Sequence, residues 1–248
     1  MRIDGRTNTE LRPVRISTGV LAFADGSAMI EAGQTQVLCA VTVENKVPPF
    51  LSGKGRGWVT AEYAMLPRAT PERTQREAQL RSGRTLEIQR LIGRSLRAIT
   101  DLNAVGERTF TVDCDVLQAD GGTRTAAITG AYVALYQSML RLKMRGDLAT
   151  VPLATPVGAV SVGRVAGEEM MDLCYEEDSR AEVDFNVVKT GAGGFVEVQG
   201  TAEGKPFSKA MLDSMLDLAG KGIERLFVVQ RAAITALPEA VRGIEGHW

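Results

Sequence analysis

The stretch from Thr109 to Leu140 constrains the fold most. TFTVDCDVLQ alternates with the two-residue period of a strand, QADGGTRT interrupts it with a glycine pair, and AAITGAYVALYQSML continues as an almost unbroken run of small and apolar residues. The order is strand, tight turn, helix, and a helix apolar on nearly every side reads as buried. Such a turn leaves the first N–H groups of the helix pointing out of its start, where an anion is favoured. Thr123, Arg124 and Thr125 would add hydroxyl and guanidinium donors. An ordinary strand-to-helix turn has the same outline, and both G-x-x-x-x-G-K-[ST] and G-x-G-x-x-G are missing. A nucleoside-triphosphate loop or a dinucleotide fingerprint is therefore not supported.

With 248 residues, the chain is long enough for one large domain or two small ones. Its 44% apolar and 24% charged residues are those of an ordinary soluble globular protein. No apolar run approaches the roughly 20 residues that span a bilayer, so no membrane partner is expected. MRIDGRTNTELRP carries no hydrophobic segment of the kind a secretory signal needs. Cys39, Cys114 and Cys174 lie far apart in strand-like stretches, and buried reduced thiols in a cytoplasmic protein are expected.

One absence narrows the chemistry. His247 is the only histidine, next to the last residue, where a frayed tail is the default. That excludes a Ser-His-Asp or Cys-His mechanism, a histidine-rich zinc site and RNA cleavage by paired imidazoles. Catalysis would rest on carboxylates, arginines, a metal, or a substrate that arrives already nucleophilic.

Strands are expected near 13–17, 28–32, 35–44, 57–66 and 108–117, with helices at 84–99 and after the glycine pair. RGDLATVPLATP reads as a connector. Strands near 157–165, 169–175, 182–190 and 194–202 precede a helical segment from about Ser208 to Ala233. GSAMIEAGQTQVLCAVTV and GEEMMDLCYEEDSRAEVDFNVV are each a strand–loop–strand unit opened by glycine, then a glycine-led strand and a helix. This is the outline of a duplicated sheet-and-helix unit in an α+β protein. The halves are taken as residues 1–140, with the glycine loop and an arginine-rich segment, and 141–248, with an acidic hairpin and the C-terminal helix.

Three groups of polar residues stand out. In the helix from Arg84, Ile88, Leu91, Ile92, Leu96 and Ile99 form one stripe, with Glu87, Arg90, Arg94 and Arg97 opposite. Arg84 falls on the apolar side, where a guanidinium needs a carboxylate or another anion. A structural ion pair and a ligand shared with the glycine loop are the alternatives. In LCYEEDSRAEVDFNVV, a hairpin is expected to return Asp178 toward Asp184. Clustered carboxylates suit Mg²⁺, although Glu176, Glu177 and Asp178 are also what a solvated turn contains. Residues 68 to 97 hold eight arginines against three glutamates, a local balance of +5 in a chain of net charge −1. Arg68, Arg73 and Arg76 would project from an irregular segment suited to nucleic-acid phosphates, or form a solvated face. No aromatic residue is interleaved, and Trp58 and Tyr63 are read as sheet residues.

MRIDGRTNTELRP, GRGWVTAEYAMLPRAT, SGRTLEIQRLIGRSLRA, DVLQADGGTRTAAITGA, EEDSRAEVDFNVV and VQGTAEGKPFS, in this order over nearly the whole chain, resemble the motifs of the ribonuclease PH family. Phe185 stands where the family often has methionine, with Lys189 soon after, and neither is a polar site residue. The resemblance implies a tandem sheet-and-helix fold like the second domain of ribosomal protein S5, in a homohexameric ring built as a trimer of dimers. It implies a phosphate-dependent 3′-to-5′ exoribonuclease that removes nucleotides beyond the CCA end of tRNA precursors. The phosphate site would be Arg84, Gly122, Thr123 and Arg124. Asp178 and Asp184 would be the metal and acid–base residues, and Arg68, Arg73 and Arg76 the RNA contacts. Phosphate is already an anionic nucleophile, which suits a chain without a histidine base. Two competing readings are a non-catalytic RNA-binding ring subunit and a hydrolytic exoribonuclease on the same fold.

Overall fold

The computed structural model describes residues 2–76 and 82–237. Strands β1 (Val14–Thr18), β2 (Gly26–Ala32), β3 (Thr35–Glu44), β4 (Trp58–Met65) and β5 (Thr109–Gln118) form a sheet in the order β1-β2-β3-β5-β4. Neighbours are antiparallel except β4 and β5, which run parallel. A parallel pair needs a crossover, supplied by α1 (Gly83–Arg97) and the short α2 (Leu102–Val105).

After β5 the chain enters the long helix α3 (Thr123–Arg145) and then a second sheet. β6 (Val157–Val165), β7 (Glu168–Met171), β8 (Val183–Thr190) and β9 (Phe195–Ala202) lie in the order β7-β6-β8-β9, all antiparallel. A helical turn, α4 (Tyr175–Asp178), joins β7 to β8, and α5 (Lys209–Thr235) follows β9. Residue 140, taken from sequence as the end of the first half, lies inside α3. The chain passes to the second sheet over residues 146–156.

The alternation of TFTVDCDVLQ puts Phe110, Val112, Cys114 and Val116 into the core, each no more than 1% exposed. The stripe Ile88, Leu91, Ile92 and Leu96 of α1 is buried with them. Burying side chains of this size stabilises by about 1.5–3 kcal/mol each, enough to hold α1 against β4. Ser82 starts the helix by accepting a hydrogen bond from the Thr85 N–H at 3.1 Å. α3 packs on β2 and β3 of the first sheet and on β6 of the second. Its glycine is needed there: a Cβ on Gly130 would lie 2.8 Å from the Ile30 side chain. The second sheet and α5 close their own core around Phe185, Met171, Met215 and Ile223.

Two sequence expectations are corrected. The segment 168–190 is not a hairpin, because β7 and β8 flank β6 on opposite sides. The chain leaves β7 through Asp172, whose φ of +54° turns it out of the sheet, and crosses by α4. Cys174 is the N-cap of α4, not a strand residue. All three thiols are buried and free, and Cys39 and Cys114, distant in sequence, are cross-strand partners. No helix of the described residues is long and apolar enough to cross a membrane.

Candidate active site

Gly121 and Gly122 carry the chain from β5 into α3 with φ of +71° and +62°, a conformation that only glycine adopts without cost. A Cβ on Gly121 would lie 2.5 Å from the Leu173 carbonyl oxygen, so the turn is pressed against the segment leading into α4. Gly122 is the N-cap, and no side chain caps the helix. The start of a 23-residue helix therefore faces the cleft with donors and the positive end of its dipole.

Thr123 and Arg124 both line this cleft, whose volume is about 240 Å³. Thr123 accepts a hydrogen bond at 2.9 Å from the buried Tyr63 hydroxyl. Arg124 donates to Gln199 Oε1 at 2.7 Å, and Gln199 donates to Glu87 at 2.5 Å. Burial lowers the Arg124 guanidinium, and the nearby charge of Arg84 adds to that. Thr125 is not the third donor expected from sequence: its hydroxyl turns back to the Gly122 carbonyl at 2.9 Å.

Arg84 lines the same cleft, but not as an arginine aimed at the core. It is exposed on the first turn of α1, and the buried stripe begins only at Thr85 and Ile88. At the end of a helix the extrapolated stripe has no sheet over it, so the side chain turns outward to the glycine loop.

Asp178 ends α4 and Asp184 is the second residue of β8, and both carboxylates line the cleft. Burial pushes Asp178 above the ordinary carboxylate range, while Arg84 and Arg124 pull it down. Asp184 is raised by burial and then by the charge of Asp178. The cleft thus sets arginines and a helix start against two half-buried acids that favour a shared proton or cation.

The N-terminal arm fixes this segment, a role not read from sequence. Arg2 donates to Glu177 at 2.8 and 2.5 Å and to the Met171 carbonyl at 2.7 Å. Arg12 holds the Asp172 carboxylate with Nε at 3.0 Å and Nη2 at 2.7 Å, and also donates to the Asp120 carbonyl. Glu177 is accordingly buried, held low by Arg2 against the cost of burial, and not part of a solvated turn. Only a pattern pairing RIDGR and ELR with the acids 160 to 175 residues later could have revealed this.

Arg68, Arg73 and Arg76 are exposed and do not line the cleft. Arg68 donates to the Pro71 carbonyl at 2.6 Å within its own loop. Their segment continues into 77–81, which, like His247, is outside the described residues.

Where the two sheets of this α+β fold meet, a helix start and two arginines face an acidic pair across one cleft, the arrangement of an enzyme that works on phosphate groups. Residues 10–141 match the model of the 3′ exoribonuclease family, domain 1, and residues 155–222 match domain 2; the chain belongs to that family. A ribonuclease PH of Syntrophomonas wolfei is 57% identical over 235 residues, covering 94% of this chain and 98% of that protein. A ribonuclease PH of Moorella thermoacetica is 56% identical over 236 residues, 94% of each. The fold matches rice Rrp46 (TM-score 0.76, 20% identity, 94% of this chain and 100% of that one). It also matches a chain of the Archaeoglobus fulgidus exosome with RNA bound to its active site (TM-score 0.77, 24% identity, 91% of each).

Proposed function

We propose that this cleft catalyses phosphorolysis at RNA 3′ ends. The observation that carries the reading is the meeting of Arg84, Arg124 and the uncapped start of α3 with Asp178 and Asp184 in one cleft. Arg84, Thr123, Arg124 and the backbone at Gly122 hold inorganic phosphate. One phosphate oxygen attacks the terminal phosphodiester: a new P–O–P link forms, the P–O3′ bond breaks, and a nucleoside diphosphate leaves. The shortened RNA needs a proton on its new 3′ oxygen. Asp184 is assigned to deliver it, since burial and Asp178 favour its protonated form. An ester is exchanged for an anhydride, so the reaction runs in both directions.

The acids fit Mg²⁺ of the kind that protein binds with one or two carboxylates and substrate phosphate completes. Among the described residues no group of three or more His, Cys, Asp or Glu forms a cage, so Asp178 would hold it together with substrate oxygens, and Asp184 would join as a ligand only when ionised, the alternative to its role as proton donor. Bound there, it would offset the charge of the phosphoryl group.

The 56–57% identity to proteins named ribonuclease PH supports tRNA precursors carrying nucleotides beyond CCA as substrates; the homohexameric ring and the cytoplasmic location rest on the resemblance of the sequence motifs alone. Arg68, Arg73 and Arg76, exposed outside the cleft, contact RNA phosphates. The test is product analysis on a tRNA with extra 3′ nucleotides, with and without phosphate. Diphosphates released only with phosphate are expected. Monophosphates, or equal rates without phosphate, favour the hydrolytic reading, and no release favours a binding-only subunit.

A further inference from the structure

We propose that Tyr63 is a positioning residue for the phosphate co-substrate, its buried hydroxyl holding the Thr123 hydroxyl as a donor toward the cleft. The assignment rests on the phosphorolytic reading and deepens it.

β4 runs parallel to β5 with Tyr63 beside Cys114, so the end of β4 lies next to the turn that leaves β5. Tyr63 is 3% exposed, and its hydroxyl reaches Thr123 Oγ1 at 2.9 Å. A phenol sealed in a core needs an acceptor for its one hydrogen, and Thr123 is the acceptor found. Burial raises the phenol, so it stays a proton donor at neutral pH although Thr123, Arg84 and Arg124 pull it down.

Thr123 also has one hydrogen to give. Threonines in a helix usually turn it back to their own backbone. Thr125 does so to the Gly122 carbonyl, and Thr129 to the Thr125 carbonyl, each at 2.9 Å. Thr123 has no such acceptor among the described residues, and it lines the cleft beside Arg84 and Arg124. With Oγ1 accepting from Tyr63, its own O–H is left for an anion at the helix start. The phenol acts through Thr123 without touching the ligand.

The test is Tyr63→Phe, which keeps the ring and its packing, assayed at varied phosphate on full-length enzyme. The KM for phosphate should rise about 3- to 10-fold, the effect of one neutral hydrogen bond, with kcat within about twofold and the KM for RNA unchanged. Tyr63→Phe added to Thr123→Val should change nothing further, whereas added to Thr123→Ser, which keeps the hydroxyl, it should raise KM again. An unchanged phosphate KM, additive effects with Thr123→Val, or equal losses for phosphate and RNA would overturn the assignment. A wild-type enzyme indifferent to phosphate would instead overturn the functional reading beneath it.

Discussion

Arg12 grips the carboxylate of Asp172 with two donors and a third from its own backbone N–H at 2.8 Å, across 160 residues of chain. The same guanidinium reaches the carbonyls of Asp120 and Gly121. One side chain therefore ties the glycine turn of the first half to the segment that carries Asp178 in the second.

Removing that carboxylate should be costly. Both partners are at most 6% exposed, and a buried charge left without its partner costs about 3–5 kcal/mol. Asn tolerates the left-handed backbone of residue 172, so Asp172→Asn isolates the charge. Chemical denaturation should show a loss in that range. A loss under about 1 kcal/mol, typical of a surface pair, would mean the grip adds little.

Arg84 is exposed and contributes nothing to the core. Arg84→Ala should therefore fold normally and lose about 2–4 kcal/mol of transition-state stabilisation, as for one anion-stabilising donor. The defect should follow phosphate concentration and leave RNA affinity unchanged. Normal phosphate dependence in steady-state kinetics would remove Arg84 from the phosphate site.

Asp184→Asn should lower turnover by a factor of about 10² or more, within the range of lost acid–base catalysis, while the protein still binds RNA. Near-normal turnover would reject the role given to Asp184.

The same substitution should act oppositely on stability. In the fold the Asp184 carboxyl is raised above its ordinary value, chiefly by burial. The native state thus holds the proton more tightly than the unfolded chain, and stability falls as pH rises from the ordinary carboxylate range through the raised value. Asp184→Asn removes that loss. Its melting temperature should exceed wild type at neutral pH, and the difference should vanish below the ordinary carboxylate range. A lower melting temperature at neutral pH would show a native-state contact that favours the charge.

RNA binding should weaken as salt rises, with a slope set by the number of phosphate contacts. Replacing Arg73 and Arg76 together should reduce the slope of log K against log salt by about 1–2 units, more clearly for tRNA than for a short oligonucleotide. An unchanged slope in a variant that sediments like the wild type would leave these arginines as a solvated surface. A smaller sedimenting species than the wild type would assign them to contacts between copies of the chain.

Much of the fold is legible locally. The period of TFTVDCDVLQ, the stripe from Ile88 to Leu96 and the glycine pair each state their structure within a few residues, because burial acts on neighbouring side chains. Strand order is not local. Nothing in GEEMMDLCYEEDSRAEVDFNVV says that β6 will lie between β7 and β8, so the crossing from Asp178 to Asp184 is not legible there although both line one cleft. A helical wheel puts Arg84 on the apolar stripe but does not tell where the burial of that stripe begins, which is at Thr85 and Ile88. Arg2, Arg12 and Tyr63 stayed silent since their partners lie 60 to 175 residues away, and ordinary residue types at such distances carry no sequence period.

α3 packs on strands of both sheets and begins at the glycine turn. The helix lies almost wholly in the segment matching domain 1, yet it also covers a strand of the second sheet. Cut at the connector, the second half would keep α5 but expose the face of β6 that α3 covers, while the first half would keep α3 with one flank bare. The duplication in outline along the chain therefore does not make two self-sufficient parts, because the helix that leads out of the glycine turn supplies packing to both sheets.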